Sequence, residues 1–118
     1  MTIKRINIGP RMSQAVVHNG VVSTAGQVAL KAAGKDAGTQ TQAILDSIDG
    51  LLAEAGTDKS SLLTATIWLS NMDYFGDMNE VWDAWIDKAA PPTRACVESK
   101  LASPKFVVEI AVTASVPG

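Results

Sequence analysis

Arg94 and Glu109 both stand where a charged residue needs a reason. Arg94 lies in Pro91-Pro92-Thr93-Arg94-Ala95-Cys96-Val97-Glu98, and Glu109 lies in Val107-Val108-Glu109-Ile110-Ala111. The two prolines stop whatever precedes them, because Pro has no N–H and biases the residue before it away from helix. Thr93 to Glu98 then alternate as a strand does, with Arg94, Cys96 and Glu98 on one side and Thr93, Ala95 and Val97 on the other. A guanidinium cannot shed its charge, so among small apolar neighbours it stays wet or meets an anion. Arg94 is therefore a candidate anion-binding residue of a small-molecule site. The alternative is a rim arginine paired with a surface carboxylate. Glu109 is open in the same way: it either pairs with Arg94 or Lys105, or is a carboxylate kept for chemistry.

Other polar residues carry less. Cys96 shares a side with Arg94, whose charge would favour a reactive thiolate. The other reading, a small hydrophobe lining a pocket, is preferred. His18 abuts Asn19-Gly20 and is expected to be exposed. Asn79 either faces solvent or reaches into a neighbouring subunit, and the first is preferred. Trp68, Trp82 and Trp85 read as core or interface. Gly9, Gly26 and Gly56 are scattered and open no helix in a phosphate-binding pattern.

Composition narrows the classes. The 118 residues suffice for one domain spanning 1–118 and one core. Hydrophobic residues make up 47% and charged residues 19%, as in a compact globule. A net charge of −2 without a basic run argues against a protein held to nucleic acid by phosphate contacts. One Cys and one His leave no cysteine zinc site, no intramolecular disulfide and little basis for a histidine metal centre. No apolar run approaches the roughly 20 residues of a membrane span. The residues after Met1 lack the apolar core of a signal peptide, so a cytoplasmic protein is expected.

These side chains must be positioned by elements that the patterning marks out. Ile3 to Ile8 reads as an edge strand. Ala15–His18 and Val21–Ala25 flank Asn19-Gly20, a strong hairpin signal because a type I′ turn needs positive φ at both positions. Gln27 to Leu30 continues as strand or runs out into a loop. A helix is predicted from a cap at or near Thr39 to Ala55, with Ile44, Leu45, Ile48, Leu51 and Leu52 on one face. Leu62–Leu69 reads as a buried strand, Tyr74–Asp87 as a second helix, Ser99–Lys105 as a loop and Phe106–Ser115 as the last strand. The order β-β-β-α-β-α-β-β predicts an α+β fold, a single mixed sheet of about six strands with two helices on one face.

Two helices leave one sheet face uncovered. Val21-Val22, Ile67-Trp68, Val107-Val108 and Ile110-Ala111 read apolar on both sides. An apolar face left in water is unusual for a monomer, so a homo-oligomer is expected, with clefts between subunits as natural ligand sites.

Taken together, Gly9-Pro10 with Ser13-Gln14-Ala15-Val16, Ala25-Gly26-Gln27-Val28, Pro92-Thr93-Arg94-Ala95-Cys96-Val97 and Val108-Glu109-Ile110-Ala111 resemble the reactive-intermediate deaminase family, also called Rid or YjgF. The resemblance runs from about Ile3 to the C-terminus. It implies a chorismate-mutase-like fold, a homotrimer with sites between subunits, and hydrolysis of 2-aminoacrylate-type enamines and imines to 2-keto acids and ammonia. It implies no cofactor and no metal. By the same resemblance Arg94 binds the substrate carboxylate, Glu109 is associated with the attacking water, and Gly26 and Cys96 line the pocket. Many members have a tyrosine after the Gly-Pro and a serine before the Gly-Gln; this chain has Arg11 and Ala25. Both bear on substrate choice, and Arg11 would add a second positive charge suited to a more acidic ligand. Two other functions stay open: a non-catalytic trimeric sensor of small carboxylates, and an endoribonuclease, an activity also reported in the family.

Overall fold

The computed structural model describes residues 2–118. Six strands, β1 Lys4–Ile8, β2 Ser13–His18, β3 Val21–Thr24, β4 Leu62–Leu69, β5 Thr93–Glu98 and β6 Val108–Ser115, form one mixed sheet in the order β1-β2-β3-β6-β4-β5. Helices α1 Ala37–Ala55 and α2 Phe75–Trp85 complete the predicted order. Only β4 and β5 run parallel, and α2 is the crossover between them.

The hairpin forms as the Asn-Gly dipeptide requires. Asn19 has φ 53° and Gly20 φ 74°, and His18 pairs with Val21 across the turn. The first helix begins earlier than its patterning indicated. Its cap is Asp36, whose carboxylate accepts from the Thr39 backbone N–H at 2.7 Å. That hydrogen bond holds the Asp36 carboxyl below the usual carboxylate range. The second helix is shorter than predicted. A 3₁₀ turn at Met72–Tyr74 precedes it, and Ile86 leaves helical conformation at ψ 144°. Gln27 makes a single bridge to Ile110 rather than extending β3.

One sheet face is buried under the helices. It carries Ile6, Ala15, Val22, Ala65, Ile67, Leu69, Val108, Ile110, Val112 and Ala114, packed with Ile44, Leu45, Ile48, Leu52, Met78 and Trp82. Truncating Ile67 or Ile110 to Ala would cost about 2–5 kcal/mol, as for other fully buried branched residues. The opposite face is more polar than the apolar doublets in the sequence indicated. Its centre holds Thr64, Thr66, Ala111, Thr113 and Ser23, with Trp68 and Val97 nearer one end. Thr64 and Thr113 join hydroxyls at 2.6 Å.

A polar residue sits inside the core. Gln40 of α1 is fully buried; its amide N–H groups go to Lys35 O at 2.9 Å and Lys105 O at 2.8 Å. Its carbonyl accepts from Val107 N at 2.9 Å. This fastens the end of the 99–107 loop to α1, so the last strand starts at Val108 rather than Phe106.

Candidate functional site

Arg94 is presented by an edge strand, on the helix side. It stands opposite Ala65 in the parallel register, and Ala65 is buried beneath the helices. Its guanidinium therefore meets α2. Nη1 donates to Asn79 Oδ1 at 2.7 Å and lies 4.0 Å from Met78 Sδ. The guanidinium carbon sits over two rings, 5.4 Å from the Trp82 centroid and 5.8 Å from that of Phe75. Arg94 is nonetheless exposed. Its partner is a neutral amide, so the charge is oriented without being neutralised, and the rest of the five-donor fork stays available.

Asn79 is thus a correction to the expectation of a solvent-facing residue. It is half-buried on α2, and the signal was present in the spacing. Phe75, Met78, Asn79 and Trp82 fall at i, i+3, i+4 and i+7, one helical stripe.

Glu109 belongs to the other face. It pairs with Trp68, one residue out of phase with the buried Ile110, and so points away from the helices. It is half-buried against the backbone at Gly26. A Cβ on Gly26 would collide with Glu109 Oε2 and stand 2.9 Å from its Cδ. Glycine there leaves the carboxyl group the space that a side chain would take, so a larger residue would have to push Glu109 aside.

The segment around Gly26 is held from two sides. Gln27 exchanges backbone hydrogen bonds with Ile110 at 2.8 and 3.1 Å, and Ala25 N donates to Gln14 O at 2.8 Å. The Gln27 side chain donates to Gln14 Oε1 at 3.0 Å and Ala25 O at 3.1 Å. Ala25 is half-buried in this segment, and exposed Arg11 occupies the turn that leads into β2. The structure thus gathers Glu109, Gly26 and Ala25, and the turn carrying Arg11 leads into the strand whose Gln14 holds Ala25.

Arg94 and Cys96 are not part of that gathering. Cys96 pairs with Ile67 and packs against the core on the helix side. Burial raises its thiol above the ordinary pKa, and the opposing pull of Arg94 is the smaller effect. This is the environment of a small, partly buried apolar group rather than of a reactive thiolate. His18 ends β2 and is exposed. Two hollows of about 610 and 460 Å³, one around Glu98, Lys100 and Phe106, the other around Leu30, Ala43 and Asp46, contain neither Arg94 nor Glu109. Among the described residues, no cluster of three or more His, Cys, Asp or Glu could hold a metal ion. Nor is any helix of the described residues long and apolar enough to cross a membrane.

Residues 2–116 match the family model described as Endoribonuclease L-PSP. A RutC family protein of Haemophilus influenzae is 44% identical over 115 residues, covering 98% of this chain and 99% of that one. The RutC family protein YoaB of Escherichia coli is 40% identical, covering 98% and 100%. A crystal structure of a YjgF family member from Neisseria meningitidis superposes with a TM-score of 0.95 at 42% identity, covering 100% of this chain and 98% of that one. The chain belongs to the Rid/YjgF family. That membership accounts for the six-stranded mixed sheet with two helices.

Sequence reasoning misplaced one residue of this Rid/YjgF chain and missed another. Asn79 orients the guanidinium, and Gln40 secures the approach to the strand that carries Glu109. A buried glutamine inside a helical apolar face was visible as an exception to the pattern. Its distant partners, Lys105 and Val107, were not.

Proposed function

We propose that this Rid/YjgF protein hydrolyses small carboxylate-bearing enamines and imines of the 2-aminoacrylate type to 2-keto acids and ammonia. The observation that carries this reading is the Arg94 guanidinium, exposed, held by the neutral Asn79 amide and left with most of its donors. Its planar fork matches a planar carboxylate in charge and in geometry, which a lysine would not do.

In the proposed reaction the bound enamine first takes a proton at carbon and loses one from nitrogen, giving the imine. A water oxygen then bonds to the imine carbon while the C=N π pair moves to nitrogen, which is protonated. Glu109 accepts a proton from that water. The carbinolamine collapses: its hydroxyl proton is transferred to nitrogen, the carbonyl forms, and the C–N bond breaks to release ammonia. Such imines also hydrolyse unaided, so an anion clamp and one positioned water supply enough.

Within one chain the two groups face opposite sides of the sheet, so the reading also needs association. We place Arg94 and Cys96 of one subunit against Glu109, Gly26 and Ala25 of the next, in a homotrimer with three such seams. The exposed edge strand β5 and the half-open face support this arrangement.

The test couples a pyridoxal-phosphate-dependent dehydratase to keto-acid release and compares the wild type with Arg94→Ala. The expected result is faster release with the wild type, abolished by the substitution. Equal rates would end the deaminase reading. Saturable carboxylate binding without turnover would favour a trimeric sensor. The family model's endoribonuclease name prompts a third assay, on single-stranded RNA. The net charge of −2 speaks against it.

A further inference from the structure

We infer that Phe75 and Trp82 are positioning residues for Arg94, two aromatic walls that fix the guanidinium before any ligand arrives. The inference rests on Arg94 being the carboxylate clamp. Three observations lead to it. Both rings lie under the guanidinium carbon, at 5.8 and 5.4 Å. Both project from the helix stripe that also supplies Asn79 and Met78, so one face of α2 makes every side-chain hydrogen-bond and ring contact described for Arg94. The two rings differ in what else they do. Trp82 is 5% exposed and tilts against Trp85 with centroids 5.4 Å apart, so it also serves the core. Phe75 is 39% exposed at the first position of the helix, a large ring that the core alone does not account for.

The physical reason is orientation. A long arginine side chain on an exposed edge strand loses rotamer entropy when it binds a ligand. An aromatic face attracts a cation without using its N–H donors. Asn79 takes one donor from Nη1 and sets the rotation of the group; the rings hold its plane. The remaining N–H edge is then offered to a carboxylate in a fixed attitude, which lowers the entropy cost of binding.

Phe75→Leu removes the π face and keeps an apolar side chain, and Phe75→Tyr keeps both. The first readout is the Arg94 Nε–H signal of the free protein in ¹⁵N relaxation measurements. It should be ordered in the wild type and in Phe75→Tyr, and mobile in Phe75→Leu. The second is the dissociation constant for 2-oxobutanoate, a stable keto acid, by NMR titration. It should rise about two- to fivefold in Phe75→Leu and return in Phe75→Tyr. Unchanged Arg94 order in Phe75→Leu, with the fold intact, would overturn the inference. A wild type that binds no keto acid and turns over no imine would overturn the clamp instead, and the relaxation measurement would still decide the role of the rings.

Discussion

Arg94 and Glu109 stand on opposite faces of the sheet, two strands apart, with β4 between them. A guanidinium on the helix side cannot pair with a carboxylate on the open side of the same chain. The competing reading of Glu109 as the arginine's permanent partner is thereby removed for the single chain. Any chemistry that uses both must draw them from two copies.

That relationship gives a subunit-mixing test. Arg94→Ala and Glu109→Gln are each expected to be inactive alone. In randomly mixed trimers of the two variants, a seam is intact when the Glu109→Gln chain supplies the arginine and its neighbour the glutamate. About a quarter of the seams meet this condition, so mixed assemblies prepared by co-expression should recover about a quarter of wild-type activity. No recovery in verified mixed trimers would refute the arrangement.

Gly26→Ala is expected to separate activity from folding. The added methyl would enter the space of the Glu109 carboxyl group, whose end can swing away. The melting temperature should therefore fall by no more than a few degrees. A displacement of about 1 Å at a catalytic group costs on the order of a hundredfold in rate. Keto-acid release that matches the wild type would show that Glu109 need not stay where Gly26 lets it sit.

The order of strands and helices was legible because each signal was local: Asn19-Gly20 for the hairpin, the 3.6-residue spacing of Ile44, Leu45, Ile48 and Leu52 for α1, and Pro91-Pro92 for the start of β5. Alternation also put Arg94 and Cys96 on a common side. Which side that was could not be read, because it depends on the register of β5 against β4. The face carrying Glu109 was set by Ile110 and Val112 taking the buried positions of β6. The cap at Asp36 is hidden in the sequence because Thr39 is also a capping residue by type, and geometry chooses between them. Asn79 reads as polar surface because a helix face that holds a cation resembles, in sequence, one that meets water.

Asn79→Ala should lower kcat/KM by about tenfold, the scale of one hydrogen bond to a charged group. The loss should fall on KM, since the amide orients the carboxylate clamp. Asn79→Asp should be worse than a simple loss of orientation, because its carboxylate would compete with the ligand for Arg94. Steady-state kinetics on the three proteins decide the matter; an Asn79→Asp enzyme as good as the wild type would contradict it.

Cys96 yields a pH prediction. Burial raises its thiol pKa, so the thiol is protonated at neutral pH in the folded protein. Iodoacetamide should therefore alkylate native Cys96 more slowly than it alkylates the unfolded chain at the same pH. Stability shifts in a definite direction. As pH climbs past the ordinary thiol value, the unfolded chain loses its proton first, and the contribution of this group to stability declines until the folded thiol also ionises. Cys96→Ala should remove that alkaline component and keep most of the deaminase activity. Rapid alkylation at neutral pH would mark a thiolate and overturn the lining role.

Arg11 offers the last test, on substrate choice. It is exposed in the turn between β1 and β2, and that turn runs directly into Gln14, whose carbonyl accepts from Ala25 N at 2.8 Å beside Gly26. A cation on that turn would favour a ligand with a second carboxylate beyond the one held by Arg94. Rates on imines derived from glutamate and from alanine measure this as a ratio. Arg11→Tyr should lower the glutamate-to-alanine ratio by about two- to fivefold, the range of an exposed charge interaction, and the effect should shrink as salt is added. A ratio that stays constant across the substitution would assign Arg11 to the solvated surface and leave the second carboxylate without a partner.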